Sequence, residues 1–221
     1  MRTLYFIITI FLLNSLSTIY SQSLTDTSYI RVITTRAGKI ASTLEITDST
    51  QYYQVRGIIA NQYSNLRTIY DKRNSIVKQL KADTLKSKAT RDSLIKIQES
   101  ETESKLVKLH NDYLASLSKE LNSAQIDKIK DGMTFGKVQF TYGGYIDMIP
   151  SLTETQKKQI WDWLVEAREK AMDAESSEKK TAIFGKYKGR IANYLSKEGY
   201  DLKKEGEEWN KRIKAKEGEK K

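Results

Sequence analysis

The sequence has 221 residues (25.4 kDa), with 38 Lys/Arg against 28 Asp/Glu, one His, one Pro and no Cys. Lack of Cys excludes disulfides, thiol nucleophiles, Cys-ligated zinc and iron–sulfur clusters, and a lone His leaves no His-rich metal site; no cofactor is expected. With 11 Gly, 38% hydrophobic and 30% charged residues, the composition disfavours a turn-rich sandwich or barrel and points to long helices around a real core.

Arg2 precedes a nearly unbroken apolar run from Leu4 to Leu16, which closes in the small and polar series Ser15 to Ser21. This pattern predicts a cleaved secretory signal over residues 1–21, with the cut between Ser21 and Gln22. The run falls short of the ~20 residues a membrane span needs, and no Cys follows it for a lipid anchor. The expected product is exported, periplasmic or secreted, with no membrane span. Arg2 is the only charge in the leader, so the mature chain stays strongly basic. In an exported protein that charge favours anionic polysaccharide, an envelope surface or an acidic partner, and nucleic acid is not expected.

Tyr29, Ile33, Ala37, Ile40 and Leu44 form one stripe of an amphipathic helix, capped by Thr25 or Asp26. After a break at 47–49, Thr47 or Asp48 can cap a second helix, Ser49 to Lys81, about 50 Å long. Its stripe holds Val55, Ile58/Ile59, Leu66, Ile69/Tyr70, Ile76/Val77 and Leu80. The pattern weakens over 82–92, which predicts a turn. A third helix then carries Leu94, Ile97, Leu106, Leu109, Tyr113, Leu114 and Leu117. Two long helices and a short connection predict an antiparallel hairpin.

Composition shifts beyond it. Residues 71–134 hold one aromatic, Tyr113, whereas 135–200 hold ten. Val138, Phe140 and Tyr142 alternate ahead of Gly143-Gly144, which predicts a short irregular or extended insert near 131–150. Thr153-x-x-Gln156 fits a capping box. In the helix it opens, Ile160, Trp163, Leu164, Ala167 and Ala171, widened by Trp161, Val165 and Met172, give an apolar arc of about 200° at ~100° per residue. A surface helix needs about half that, so this one must touch two neighbours, or one neighbour and a ligand. Ile183, Phe184, Tyr187, Ile191, Tyr194 and Leu195 mark a last core helix, stopped near Gly199. Residues 203–221, with eight Lys/Arg and five Glu around Trp209 and Ile213, read as a charged tail, a frayed helix or disordered. The fold class is therefore all-α: one helical domain over 22–202, a long hairpin packed with aromatic-rich C-terminal helices.

No Walker A, GxGxxG or GxSxG pattern occurs in the sequence. Gly185-x-x-x-Gly189 falls on the solvent side of its helix, among lysines. Asp162 and Glu166 share a face at i,i+4, yet Lys158 and Lys170 reach them, so solvated ion pairs are expected rather than an acid/base couple. His110, with no Ser or Cys nucleophile pattern near it, reads as a partly buried structural residue. No catalytic residue and no metal ligand is expected. Tyr142, Tyr145 and Trp161, with Asp147 and Arg168, are the candidate ligand-binding residues, because flat aromatic faces stack on sugar C–H bonds while hydroxyls meet charged groups. Lys179, Lys180, Lys186, Lys188 and Arg190, interleaved with Phe184 and Tyr187, form a candidate basic patch for polyanions.

The series Lys128-Ile-Lys-Asp-Gly-Met-Thr134, Val138-Gln-Phe-Thr-Tyr142, Tyr145-Ile-Asp-Met-Ile-Pro-Ser-Leu-Thr153, Trp163-Leu-Val-Glu-Ala-Arg-Glu169 and Phe184-Gly-Lys-Tyr-Lys-Gly-Arg-Ile191 resembles the DUF3826 family of exported Bacteroidota proteins. The resemblance covers Tyr29 to about Leu202. It implies a secreted protein of sugar-binding description, associated with polysaccharide utilisation, and supplies no catalytic residues. Leu152-Thr-Glu-Thr-Gln156 is also similar to the LTxxQ signature of the Spy/CpxP periplasmic chaperones, and Leu121-Asn-Ser-Ala-Gln125 matches it loosely. The expected function is a non-catalytic exported binding protein for oligo- or polysaccharide. The alternative is an ATP-independent chaperone or envelope-stress protein that holds unfolded clients.

Overall fold

The computed structural model describes residues 27–218. The expected leader and its cleavage point, and the first helix's cap at Thr25 or Asp26, lie outside them. No strand occurs among the described residues, and the protein is all-α.

Helix α1 occupies residues 27–41 and tightens into a 3₁₀ turn, Ser42–Leu44, ended by Glu45 in a left-handed conformation. Asp48 opens α2 (Ser49–Ala82), its Oδ1 accepting from the Gln51 N–H at 2.7 Å. The other helices are α3 (Lys88–Leu117), α4 (Ser123–Met133), α5 (Lys137–Met148), α6 (Glu154–Met172), α7 (Ser177–Lys197) and α8 (Leu202–Gly218). Side chains cap most of them. Ser87 serves α3 and Ser176 serves α7, while Asn122/Gln125 and Thr153/Gln156 form full capping boxes on α4 and α6. Gly199, at φ +93°, ends α7 as expected, and the Tyr200 N–H returns to the Leu195 carbonyl.

The chain groups into two compact units, divided within α2 between Thr68 and Ile69, where one domain over 22–202 was expected. In the first unit, Ile33, Ala37, Ile40 and Leu44 are buried on the anticipated stripe, as are Val55, Ile59 and Leu66 on α2. The Tyr29 hydroxyl donates to the Tyr63 carbonyl at 3.0 Å, and the Arg67 guanidinium lies 4.1 Å from the centre of the Tyr29 ring.

In the second unit the core is centred on α6. Ile160, Leu164, Ala167 and Ala171 are buried against Phe184, Ile191 and Leu195 of α7 and Val138 of α5. The wide apolar arc of α6 is thus used as its width requires: α6 packs on α7, on α5 and on α4. Gly185 and Gly189 face solvent.

Three expectations need correction. The insert near 131–150 is helical: α4 runs through Met133 and α5 occupies Lys137–Met148. The break falls at Phe135 and Gly136, consecutive residues at φ 62° and 63°, not at Gly143-Gly144. Burying Val138 and half-burying Tyr142, Tyr145 and Ile146 against α6 outweighs a three-residue alternation too short to fix a period. The tail takes the helical of its two expected forms, but packed rather than frayed: α8 lies on α5 and α7. Helices α2 and α3 are joined by a turn at 83–87, as a hairpin requires, but no residue from 67 to 101 is buried. The apolar stripe there is carried half-exposed, without a core behind it.

Candidate functional site: an aromatic cleft beside α5 and α8

Helix α5 exposes one face into an open cleft of about 640 Å³. Gly143 and Gly144 form part of its wall, beside Phe140, Tyr145 and Asp147; Lys188 enters from α7 and Trp209 from α8. Phe140 is 85% exposed, unusual for a phenylalanine with core available on the same helix. Tyr145 is half-buried, its hydroxyl 3.4 Å from the Lys188 carbonyl, and burial pushes that hydroxyl's pKa up, so the ring presents a neutral phenol.

The two glycines have no packing reason to be there. A Cβ on either would meet nothing within 4 Å, and neither has positive φ. Mid-helix glycine costs about 1 kcal/mol relative to alanine. Their effect is to bare the α5 backbone along the cleft and leave room above it. Local choices that weaken an element without a packing gain concentrate at functional sites.

Helix α8 is fastened to the end of α5 by Arg212. Its Nη2 donates to the carbonyls of Asp147 and Met148, at 2.9 and 3.0 Å. These are last-turn carbonyls, which lack helical partners and carry the negative end of the helix dipole, so a guanidinium satisfies both needs. Trp209 sits one turn before Arg212, which sets it at the cleft.

Of the five candidate ligand residues, Tyr145 and Asp147 line this cleft. Tyr142 and Trp161 pack edge to face at 5.1 Å and fringe the core. Arg168 stands apart. Its side chain is 6% exposed and pairs with Asp127 (2.6 Å), Asp131 (2.9 Å) and Glu169 (3.2 Å), so it braces α6 against α4.

The basic series also divides. Lys179 and Lys186 are exposed, while Lys180 is buried with its Nζ donating to the Met133 and Met172 carbonyls, both at 3.0 Å. Arg190 lies over the Trp163 ring at 4.4 Å and faces Glu166 at 3.4 Å. Only Lys188 of the five lines the cleft. Phe140, Trp209 and Arg212 were not among the candidates. For the two α8 residues the signal was the spacing of Leu202, Trp209 and Ile213 on one helical face, masked by the charge around it.

The i,i+4 carboxylates behave as expected. Asp162 pairs with Lys158 and Glu166 with Lys170 on an outer face, and Lys170 together with the Tyr187 hydroxyl holds the Glu166 carboxyl below the usual range. Thr153 and Gln156 of the LTxxQ stretch are both spent in the capping box, and Gln156 reaches Glu198 and Tyr200 besides.

His110 sits beside a second cavity of about 380 Å³, with Leu106, Val107 and Ile183 as its apolar wall. Its Nδ1 is 2.5 Å from Oδ2 of Asp173. Among the described residues no group of three or more His, Cys, Asp or Glu could hold a metal ion, and no helix is long and apolar enough to cross a membrane.

No curated protein matches the chain. A family model described as "Protein of unknown function (DUF3826)" matches residues 30–215, so it extends past Leu202 into α8, and the chain belongs to that family.

Proposed function

We propose that the protein is a non-catalytic, exported binding protein for oligo- or polysaccharide, and that the ligand lies in the cleft beside α5 and α8. The carrying observation is the cleft's composition: Phe140, Tyr145 and Trp209 border bare α5 backbone at Gly143-Gly144, with Asp147 and Lys188 at hand. A sugar needs both halves of that arrangement. Its C–H face meets a π surface while its hydroxyls find a carboxylate or an ammonium, in a concave site with few polar groups. The sugar-binding description implied by the family resemblance agrees with this reading. Lys188 and the basic chain favour acidic over neutral glycans, and moderate salt should weaken but not abolish their binding.

Tryptophan fluorescence titrated with neutral and acidic oligosaccharides tests it. A saturable change with one sugar class is expected, lost in Trp209→Ala and kept in Trp161→Ala. Absence of a saturable change with every class, or a response unaltered in Trp209→Ala, overturns it.

A further inference from the structure

A second cluster of side chains lies at the foot of the α2–α3 pair, where residues from four helices meet the loop between α6 and α7. Asp173 receives two of them. Its backbone carbonyl accepts the Tyr70 hydroxyl at 2.9 Å, and its carboxylate faces Nδ1 of His110 at 2.5 Å. Two residues on, Glu175 accepts from Arg73 at 2.5 Å and from Asn74 at 2.6 Å. The arms beyond, through residue 101, have no buried side chain. Polar contacts thus fasten the α2 side of the foot, and the cavity lined by Tyr70, His110, Asp173 and Ile183 lies directly beneath it.

We infer that His110 and the 173–175 loop form a proton-operated clasp, closed on the foot of the hairpin in mild acid and loosened in mild alkali. The groups facing His110 and its carboxylate partner make it the one that changes charge over this range. From α2, Tyr70 has its hydroxyl pushed up to about 12 by burial, so it stays neutral, with the Arg73 guanidinium over its ring. Burial pushes the Glu175 carboxyl up, but hydrogen bonds from Asn74 and Arg73, with Lys179 of α7 adding to the effect, outweigh it and hold the carboxyl below its usual range. Glu103 of α3 and Lys170 of α6 line the cavity. Glu169 of α6 and Lys130 of α4 pair with each other at 2.8 Å. Around His110 itself, the hydrogen bond to Asp173 raises the pKa and burial opposes it; Asp173 and Glu169 raise it further, against Lys130, and the net direction is upward.

The sign follows from that direction. A histidine whose pKa is higher folded than free stabilises the closed form fully below its ordinary value, and the gain is lost as pH rises through the folded midpoint. Above it the neutral ring still donates one hydrogen bond, without its charge. Loosening is limited to about tenfold for each pH unit by which the midpoint exceeds the ordinary ~6.5.

Because the chain has a single histidine, NMR of its ring reads the clasp without assignment. The expected midpoint lies above 6.5 and moves down in Asp173→Asn. Hydrogen exchange, corrected for the intrinsic effect of pH, should show protection over 69–82 and 103–112 falling several-fold between pH 5.5 and 8.5. His110→Gln should remove that difference. A midpoint at or below 6.5, equal protection at both pH values, or pH dependence persisting in His110→Gln would overturn the clasp. Should His110→Gln fail to fold, the wild-type midpoint and the Asp173→Asn shift still decide.

Discussion

The seam of α6 with α7 and the arms of the hairpin are both helical and rich in charged residues, yet they are held by different means. Along the seam, Ile160, Leu164, Ala167, Phe184, Ile191 and Leu195 disappear from solvent, and the charges lie outside them. Along the arms, Leu94 and Ile76 are only half-covered, Ile97 is 53% exposed, and ion pairs such as Lys88–Asp92 ride on the surface. Exposed pairs of that kind are worth a few tenths of a kcal/mol each. Stability in this molecule therefore tracks buried apolar area and buried hydrogen bonds, not helix length or charge count.

Substitutions can break that contrast or sharpen it. The largest effect is expected from Phe184→Ala, which leaves a cavity in the seam and should cost about 3–5 kcal/mol in denaturant unfolding. Lys180→Met comes next. It leaves the Met133 and Met172 carbonyls without their buried donor, for a loss of about 1–3 kcal/mol. Thr153→Ala removes the N-cap of α6 and should cost about 1 kcal/mol. Gly144→Ala should act in the opposite sense, raising stability by up to about 1 kcal/mol while weakening glycan binding, because its Cβ enters open space at the cleft. A stabilised variant with unchanged affinity would detach the glycines from function. The smallest change is expected from Ile97→Ala, within about 0.5 kcal/mol, read from the same unfolding curves. A loss above 2 kcal/mol there would show that the arms hold a core of their own.

The all-α class, the stripes of α1, α6 and α7 and the capping box at Thr153 were legible because several turns of one period accumulate a signal that local chance does not mimic. The three-residue alternation from Val138 to Tyr142 carried no such weight, and the Gly143-Gly144 pair suggested a turn where tertiary packing keeps a helix. The site was half legible. Tyr145 and Asp147 stood out because they lie among aromatics. Arg168 was placed with them by proximity in sequence, although helical geometry turns it towards Asp127 and Asp131 of α4. Trp209 and Arg212 could be joined to α5 only through the fold, since the bond from Arg212 to Asp147 spans 65 residues.

The arms also have a consequence for how the chain meets proteases. The turn at 83–87 presents Leu85 at 97% exposure, between Lys81 and Lys88 and beside Lys86, in the one stretch of the hairpin that is not helical. A trypsin-like enzyme needs an extended segment in its groove, and here it needs to unwind almost nothing. Within the two arms, cleavage is expected first after Lys86, a cut that touches no residue of the α6–α7 seam. The nicked protein should then keep its aromatic core and its cleft, so cleavage between the arms should leave the tryptophan spectrum unchanged.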